Sequence, residues 1–280
     1  MVVPPNIYLP REHNSADRLD AEPQRRRVGA TLSDEGHRLI DPHFRGADIG
    51  YLLELYRDYR AMVRTHTALT LQVKSFCRRI VGGDKGEADK LLKSIEGEAE
   101  HPLTSGAAAR LVPFFAARDE IEKSRKQRLK EIEKLAKSLP AFGFVATAPG
   151  FGTASFAAVI AECGDLSNYA NPAKVWKRMG LAVVDGKAQR RVTGIDGITM
   201  GFSPARRSLM WNIGECIVKS GKGKYRAAYD ARKAYEVERN PEIKKIAAHA
   251  RAKRYAEKLL LKDLWRYWRD VSRETNETNR

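Results

Sequence analysis

The residues best placed to do chemistry form the run Ala148-Pro149-Gly150-Phe151-Gly152-Thr153, which leads directly into the apolar stretch 154–160. Glycine takes backbone angles closed to other residues and lets a second backbone or a ligand come close. The first amides of a helix have no partner inside it, and the helix dipole favours an anion there. Gly150, Gly152 and Thr153 therefore predict the hairpin of a helix–hairpin–helix that grips a nucleic-acid phosphate. The same spacing also serves a plain helix–helix corner whose glycines only permit close packing. A second set is cationic. Arg251, Arg254, Lys258, Lys262, Arg266 and Arg269 recur every three or four residues, which puts them on one helix face. Ala256, Leu260, Leu264, Tyr267, Trp268 and Val271 take the other face. Arg190 and Arg191 stand in a basic glycine loop, and Arg206 and Arg207 at a helix start. All of these cations are read as counter-charge for phosphates. Ser203 is the one hydroxyl considered as a nucleophile, although Pro204 after it suits a helix N-cap.

The charge balance supports a polyanionic partner. The chain has 280 residues and a formal net charge of +16. Residues 1–140 carry 25 Lys/Arg against 21 Asp/Glu, whereas residues 141–280 carry 26 against 14. The excess therefore sits in the half with the glycine turn, and nucleic acid is the leading partner. A membrane is not expected, since no apolar run approaches the length of a spanning helix and no leader pattern opens the chain. Cys77, Cys163 and Cys216 lie far apart with no CxxC pair. That spacing fits neither a zinc ribbon nor a disulfide scaffold and suits a reducing, cytoplasmic setting. The six histidines show no ligand spacing either, so neither a metal site nor a cofactor is expected from these residues.

The elements that must position these groups are read as mainly α. Residues 1–46, with prolines and Arg25-Arg26-Arg27, predict a flexible arm. A helical region covers 47–139. Its first helix carries Ile49, Leu52, Leu53, Tyr56, Tyr59 and Val63 at helical intervals, with Arg57, Arg60 and Arg64 on one flank. Gly82-Gly83 ends it. After Pro113, residues 114–139 are dense in charge, and Arg125, Leu129, Ile132, Ala136 and Leu139 alternate by four and three. This pattern predicts a helix packed on a partner helix, a short coiled coil through which a homodimer could form. Pro140 marks the expected boundary. A compact helix–hairpin–helix domain then covers 140–272, with a short β or loop insertion at 181–201, and 273–280 is a tail.

The order of features from Pro149 onward resembles the C-terminal domain of the one-ten family of insertion-sequence transposases, the DEDD-type recombinases. The matching elements are APGFGTASFAAVIAECGDLSNYANPAKVWKRMGLAV, GKAQRRVTGIDGITMGFSPARRSLMWNIG, GKYRAAYDARKAYE and KKIAAHARAKRYAEKLLLKDLWRYW. They cover roughly residues 140–270. The resemblance implies DNA binding in transposition or site-specific recombination, with a guide RNA as a further partner. Full members also carry a ribonuclease-H-like domain whose acidic residues hold magnesium. Residues 1–140 lack the alternating strand pattern that such a domain requires, so magnesium would enter only through a separate or divergent site. The family's serine after the Gly-Leu-Ala-Pro-type segment has no counterpart, because Gly180-Leu181-Ala182 runs into Val183-Val184-Asp185-Gly186. A non-catalytic DNA-binding or architectural descendant is the alternative, and a basic helical protein meeting an acidic protein partner is a third.

Overall fold

Two long helices set the frame. In the computed structural model, which describes residues 45–278 apart from 194–196 and 198–199, α1 spans Arg45–Ile80 and α3 spans Thr104–Ser138. Between them α2, Lys85–Ile95, starts where the Asp84 side chain accepts a hydrogen bond from the Glu87 amide at 2.8 Å, a standard N-cap. The expected arm falls outside the described residues, apart from the start of α1. The seam predicted on 114–139 packs against α1 of the same chain. Ile132, Leu135, Ala136 and Leu139 of α3 are buried in one core with Ile49, Leu52 and Leu55 of α1. Arg125 donates to Tyr59, and Arg128 pairs with Asp58 at 3.7 Å across the same contact.

Helix α3 begins well before Pro113, where the sequence pattern would have started it. Pro113 leaves one carbonyl of the preceding turn without a donor, but Pro113 and Ala109 are both exposed and water can serve it. On the other face, Ala107 and Leu111 are buried with Val73, Cys77, Ala88 and Leu91. Apolar burial thus outweighs a local helix-breaking signal.

Beyond α3, a 3-10 turn at Pro140–Gly143 and the short α4, Phe144–Thr147, lead into the glycine turn and α5, Thr153–Cys163. Helix α6, Pro172–Arg178, is capped by Asn171, whose side chain accepts from the Lys174 amide. Strands β1, Val183–Val184, and β2, Lys187–Ala188, pair antiparallel around Asp185-Gly186. Both turn residues have positive φ, 49° and 72°, as a two-residue Asp-Gly hairpin requires. Then come α7, Pro204–Ser220, α8, Lys224–Arg239, and α9, Lys245–Thr278. Helix α9 continues as far as Thr278, into the stretch read as a tail. The fold is mainly α, and the hairpin is the short β insertion.

The principal core crosses Pro140 without a break. Phe144, Phe151, Phe156, Val159 and Ile160 pack in the same cluster as the α1 and α3 residues, together with Met210, Ile213, Leu260, Leu264 and Trp268. Phe151 meets Phe144 and Phe156 edge-on, with ring centroids 6.1 and 6.5 Å apart. The apolar residue inside the glycine turn is therefore a core anchor.

Candidate nucleic-acid interface

The two glycines of the turn do different things. Gly150 has φ +85°, and a Cβ there would stand 2.6 Å from the Cys216 carbonyl oxygen and 2.8 Å from Ile217 Cα. It is the point where the turn lies against the backbone of α7. Gly152 has φ −80° and is the N-cap of α5; a Cβ there would meet nothing within 4 Å. Gly152 is exposed and Thr153 half-buried beside it, so the amide end of α5 faces outward while Gly150 faces protein.

The arginines at the start of α7 are held by two carboxylates, the largely covered Glu162 and the fully buried Glu257. Arg206 Nε donates to Glu162 Oε2 at 2.8 Å, and Arg207 Nη1 donates to Glu257 Oε2 at 2.7 Å. Ser203 Oγ accepts from the Arg206 amide at 3.4 Å and caps the helix. Arg190 and Arg191 are exposed, just after Gln189, which is buried. The Gln189 amide donates to the carbonyls of Lys177 and Met200 and accepts from the Ala182 amide. One side chain thereby ties the hairpin to the end of α6.

On α9 the basic row is less uniform than its spacing suggests. Arg251 and Arg266 are exposed, whereas Arg254, Lys258, Lys262 and Arg269 are half-buried. Arg251 is 3.0 Å from Glu236, whose carboxyl it holds below the usual range. Lys258 lies 5.1 Å over the Trp176 ring and Arg269 4.7 Å over Trp265. Burial lowers the pKa of Arg254 and Lys258. The indoles also fasten neighbouring segments, since Trp176 donates to the Lys258 carbonyl and Trp265 to that of Tyr169.

A cluster not singled out in the sequence forms around Glu162, at the last turn of α5. Arg60 Nη1 of α1 donates to Glu162 Oε1 at 2.6 Å. Arg206 takes Oε2, and Arg178 Nε of α6 donates to the Glu162 backbone carbonyl at 2.9 Å. Three arginines from three helices thus converge on one residue whose side chain is 12% exposed. Two concavities open on either side. The larger, about 590 Å³, includes Tyr56, Arg57, Arg60, Glu162, Asp165, Arg178 and Arg206 in its wall. Its neighbour, about 530 Å³, is walled by Asn168, Tyr169, Ala170, Lys174, Lys177, Arg178, Gly201 and Arg206. Asn168, Arg178 and Arg206 belong to both. Six cations and two carboxylates line the combined groove, and each guanidinium has more N–H donors than one contact with Glu162 uses. Such a surface is suited to phosphate oxygens. Burial, with Glu162 nearby, pushes the Tyr56 phenol up to about 12 and keeps it neutral.

Behind the groove, α7 and α9 share a buried charge network that periodicity concealed. Lys253 and Glu257 are both fully buried. Lys253 Nζ donates to Glu215 and lies over the face of Trp211. Burial lowers the Lys253 pKa, opposed by Glu215, and lifts the Glu257 carboxyl to about 7, opposed mainly by Arg207. Glu257 Oε1 has no hydrogen-bond partner among the described residues. Gly214 makes room for the network, because a Cβ there would be 2.5 Å from Glu257 Oε1. The Arg207–Glu257 contact fixes the first turn of α7 and so aims the adjacent Arg206 at Glu162.

No protein-family model, curated protein or solved structure matches the chain. Among the described residues no helix is long and apolar enough to cross a membrane, and no group of three or more His, Cys, Asp or Glu is arranged to hold a metal ion.

Proposed function

We propose that this chain is a transposase-type protein that binds DNA in transposition or site-specific recombination, working in the cytoplasm. The observation that carries the DNA-binding part is the convergence of Arg60, Arg178 and Arg206 on Glu162 in a groove also lined by Arg57, Lys174 and Lys177. Fixed guanidiniums present donors to phosphate without paying again to order their side chains. The recombination part rests on the ordered resemblance over roughly residues 140–270. The exposed amide end of α5 and the loop cations Arg190 and Arg191 supply further phosphate contacts.

A second reading, a non-catalytic DNA-binding protein of the same descent, is favoured by one observation. Ser203 Oγ, the only hydroxyl marked out as a nucleophile, is engaged in capping α7. Both readings require nucleic-acid binding through phosphates, so affinity must fall steeply with salt. Fluorescence anisotropy with duplex DNA and with structured RNA over a salt series tests this. Steeply salt-dependent binding supports the proposal, and absence of binding at low salt removes it.

A further inference from the structure

We infer that the groove around Glu162 takes unpaired nucleotides, seating a base in each concavity with the phosphate between them on Arg178 and Arg206. The inference rests on the proposed nucleic-acid binding and specifies the form of strand that this site accepts.

Three features separate this groove from a simple basic face. It is double, and its two halves are open concavities of about 590 and 530 Å³. A duplex keeps its bases stacked inside, with its phosphates on a convex exterior. It can lay phosphates along the rim but cannot fill either concavity without releasing a base. Second, each half has one tyrosine in its wall, Tyr56 in the larger and Tyr169 in the smaller. Basic grooves interleaved with aromatic rings hold single strands by stacking.

Third, both rings are already fixed. The Tyr169 hydroxyl donates to the Cys163 carbonyl at 2.8 Å. Tyr56 stacks on Tyr59 with centroids 6.4 Å apart, and the Arg60 guanidinium lies 6.0 Å from the Tyr56 ring. Between the halves stand the residues they share, Asn168, Arg178 and Arg206. Two of these carry charge for a bridging phosphate. The third is an exposed amide able to bond a base edge. Glu162 would repel a phosphate placed against it, but it holds Arg60 and Arg206 in position and is itself largely covered by them.

The test compares the full chain's affinity for a thymidine strand of about ten nucleotides, within the span that one such site covers, with its affinity for the same strand carrying abasic sites. The phosphates are equal in the two probes and only the bases differ. The wild type should bind the thymidine strand at least about tenfold tighter, the discrimination expected from stacking even one base. Tyr56→Leu and Tyr169→Leu should each weaken the thymidine strand by about tenfold and change the abasic strand by less than about twofold. A 2-aminopurine base in the strand, read with wild-type protein, should be quenched on binding, which tests stacking even where a tyrosine variant fails to fold. Equal affinity for thymidine and abasic strands, or an unquenched base, overturns the inference and leaves the nucleic-acid reading standing. If neither strand binds at low salt, the nucleic-acid reading itself fails.

Discussion

Replacing Gly150 by alanine separates packing from ligand approach at the turn that first marks this sequence. Its φ of +85° lies where an L side chain costs about 1–2 kcal/mol. The added Cβ would also stand 2.6 Å from the Cys216 carbonyl oxygen, so the turn must move off α7. Overpacking of this kind costs a further ~1–3 kcal/mol. The sum, about 2–5 kcal/mol, is a large share of the ~5–15 kcal/mol that holds a folded domain. In a folded unit of this size it corresponds to a fall in Tm of roughly 5–15 °C. Gly152→Ala is the internal control: at φ −80° with open space around it, alanine should cost no more than about 1 kcal/mol. Thermal denaturation of both variants, with DNA affinity measured on the folded protein, checks the pair. A Gly150→Ala protein that melts with the wild type yet loses affinity would refute the packing argument and assign Gly150 to the ligand.

The other consequences concern the groups behind the groove. Glu257 keeps its proton in the folded state to about pH 7, against 4.5 ordinarily. Its contribution to stability is therefore fully present below about pH 4.5 and is lost as pH rises through 7, by about 3 kcal/mol in all. Glu257→Gln has no such loss, so urea unfolding should show its stability relative to wild type improving by about that amount from pH 4.5 to 8. A constant difference across that range would contradict the assignment. Gln189→Leu leaves three backbone groups without their side-chain partner and should cost about 2–4 kcal/mol. Limited proteolysis should then cut faster beside Arg190 and Arg191, whereas unchanged cutting would mean that Gln189 does not anchor the loop.

Much of the helix order was legible because it rests on local signals: the cap at Ser203, the Gly82-Gly83 stop after α1, and the apolar stripe of α9. Helix α3 shows where local signals mislead, since Pro113 lies on an exposed face and the buried face continues through it. The groove was less legible for a different reason. Arg60, Glu162, Arg178 and Arg206 belong to four helices and meet only because α1 packs beside α5 and the core crosses Pro140. The visible hints were the arginines flanking α1 and the density of cations on the short helix α6. The burial of Lys253 and Glu257 is not legible in the sequence, because charged residues lie at the surface by default. Gly214, a glycine in the interior of a helix, was the available sign that something bulky must fit against α7.

The fold connects these levels in one direction. The buried Arg207–Glu257 contact sets the first turn of α7, and Gln189 secures the hairpin to α6. The core beneath α1 and α5 then brings Arg60 to Glu162. Each link is made of protein contacts, and together they place Arg60, Arg178 and Arg206 around Glu162.

The most direct measurement of the central claim is the salt dependence of DNA affinity for the wild type and for a variant carrying Lys174→Gln, Lys177→Gln and Arg178→Gln. All three side chains are exposed in the groove, so the fold should survive their replacement. Binding should be weaker at every salt concentration, with the slope of log K against log salt reduced by about 2–3 as those phosphate contacts are lost. An unchanged affinity and slope in the folded variant would contradict it, and would move the binding surface away from the groove.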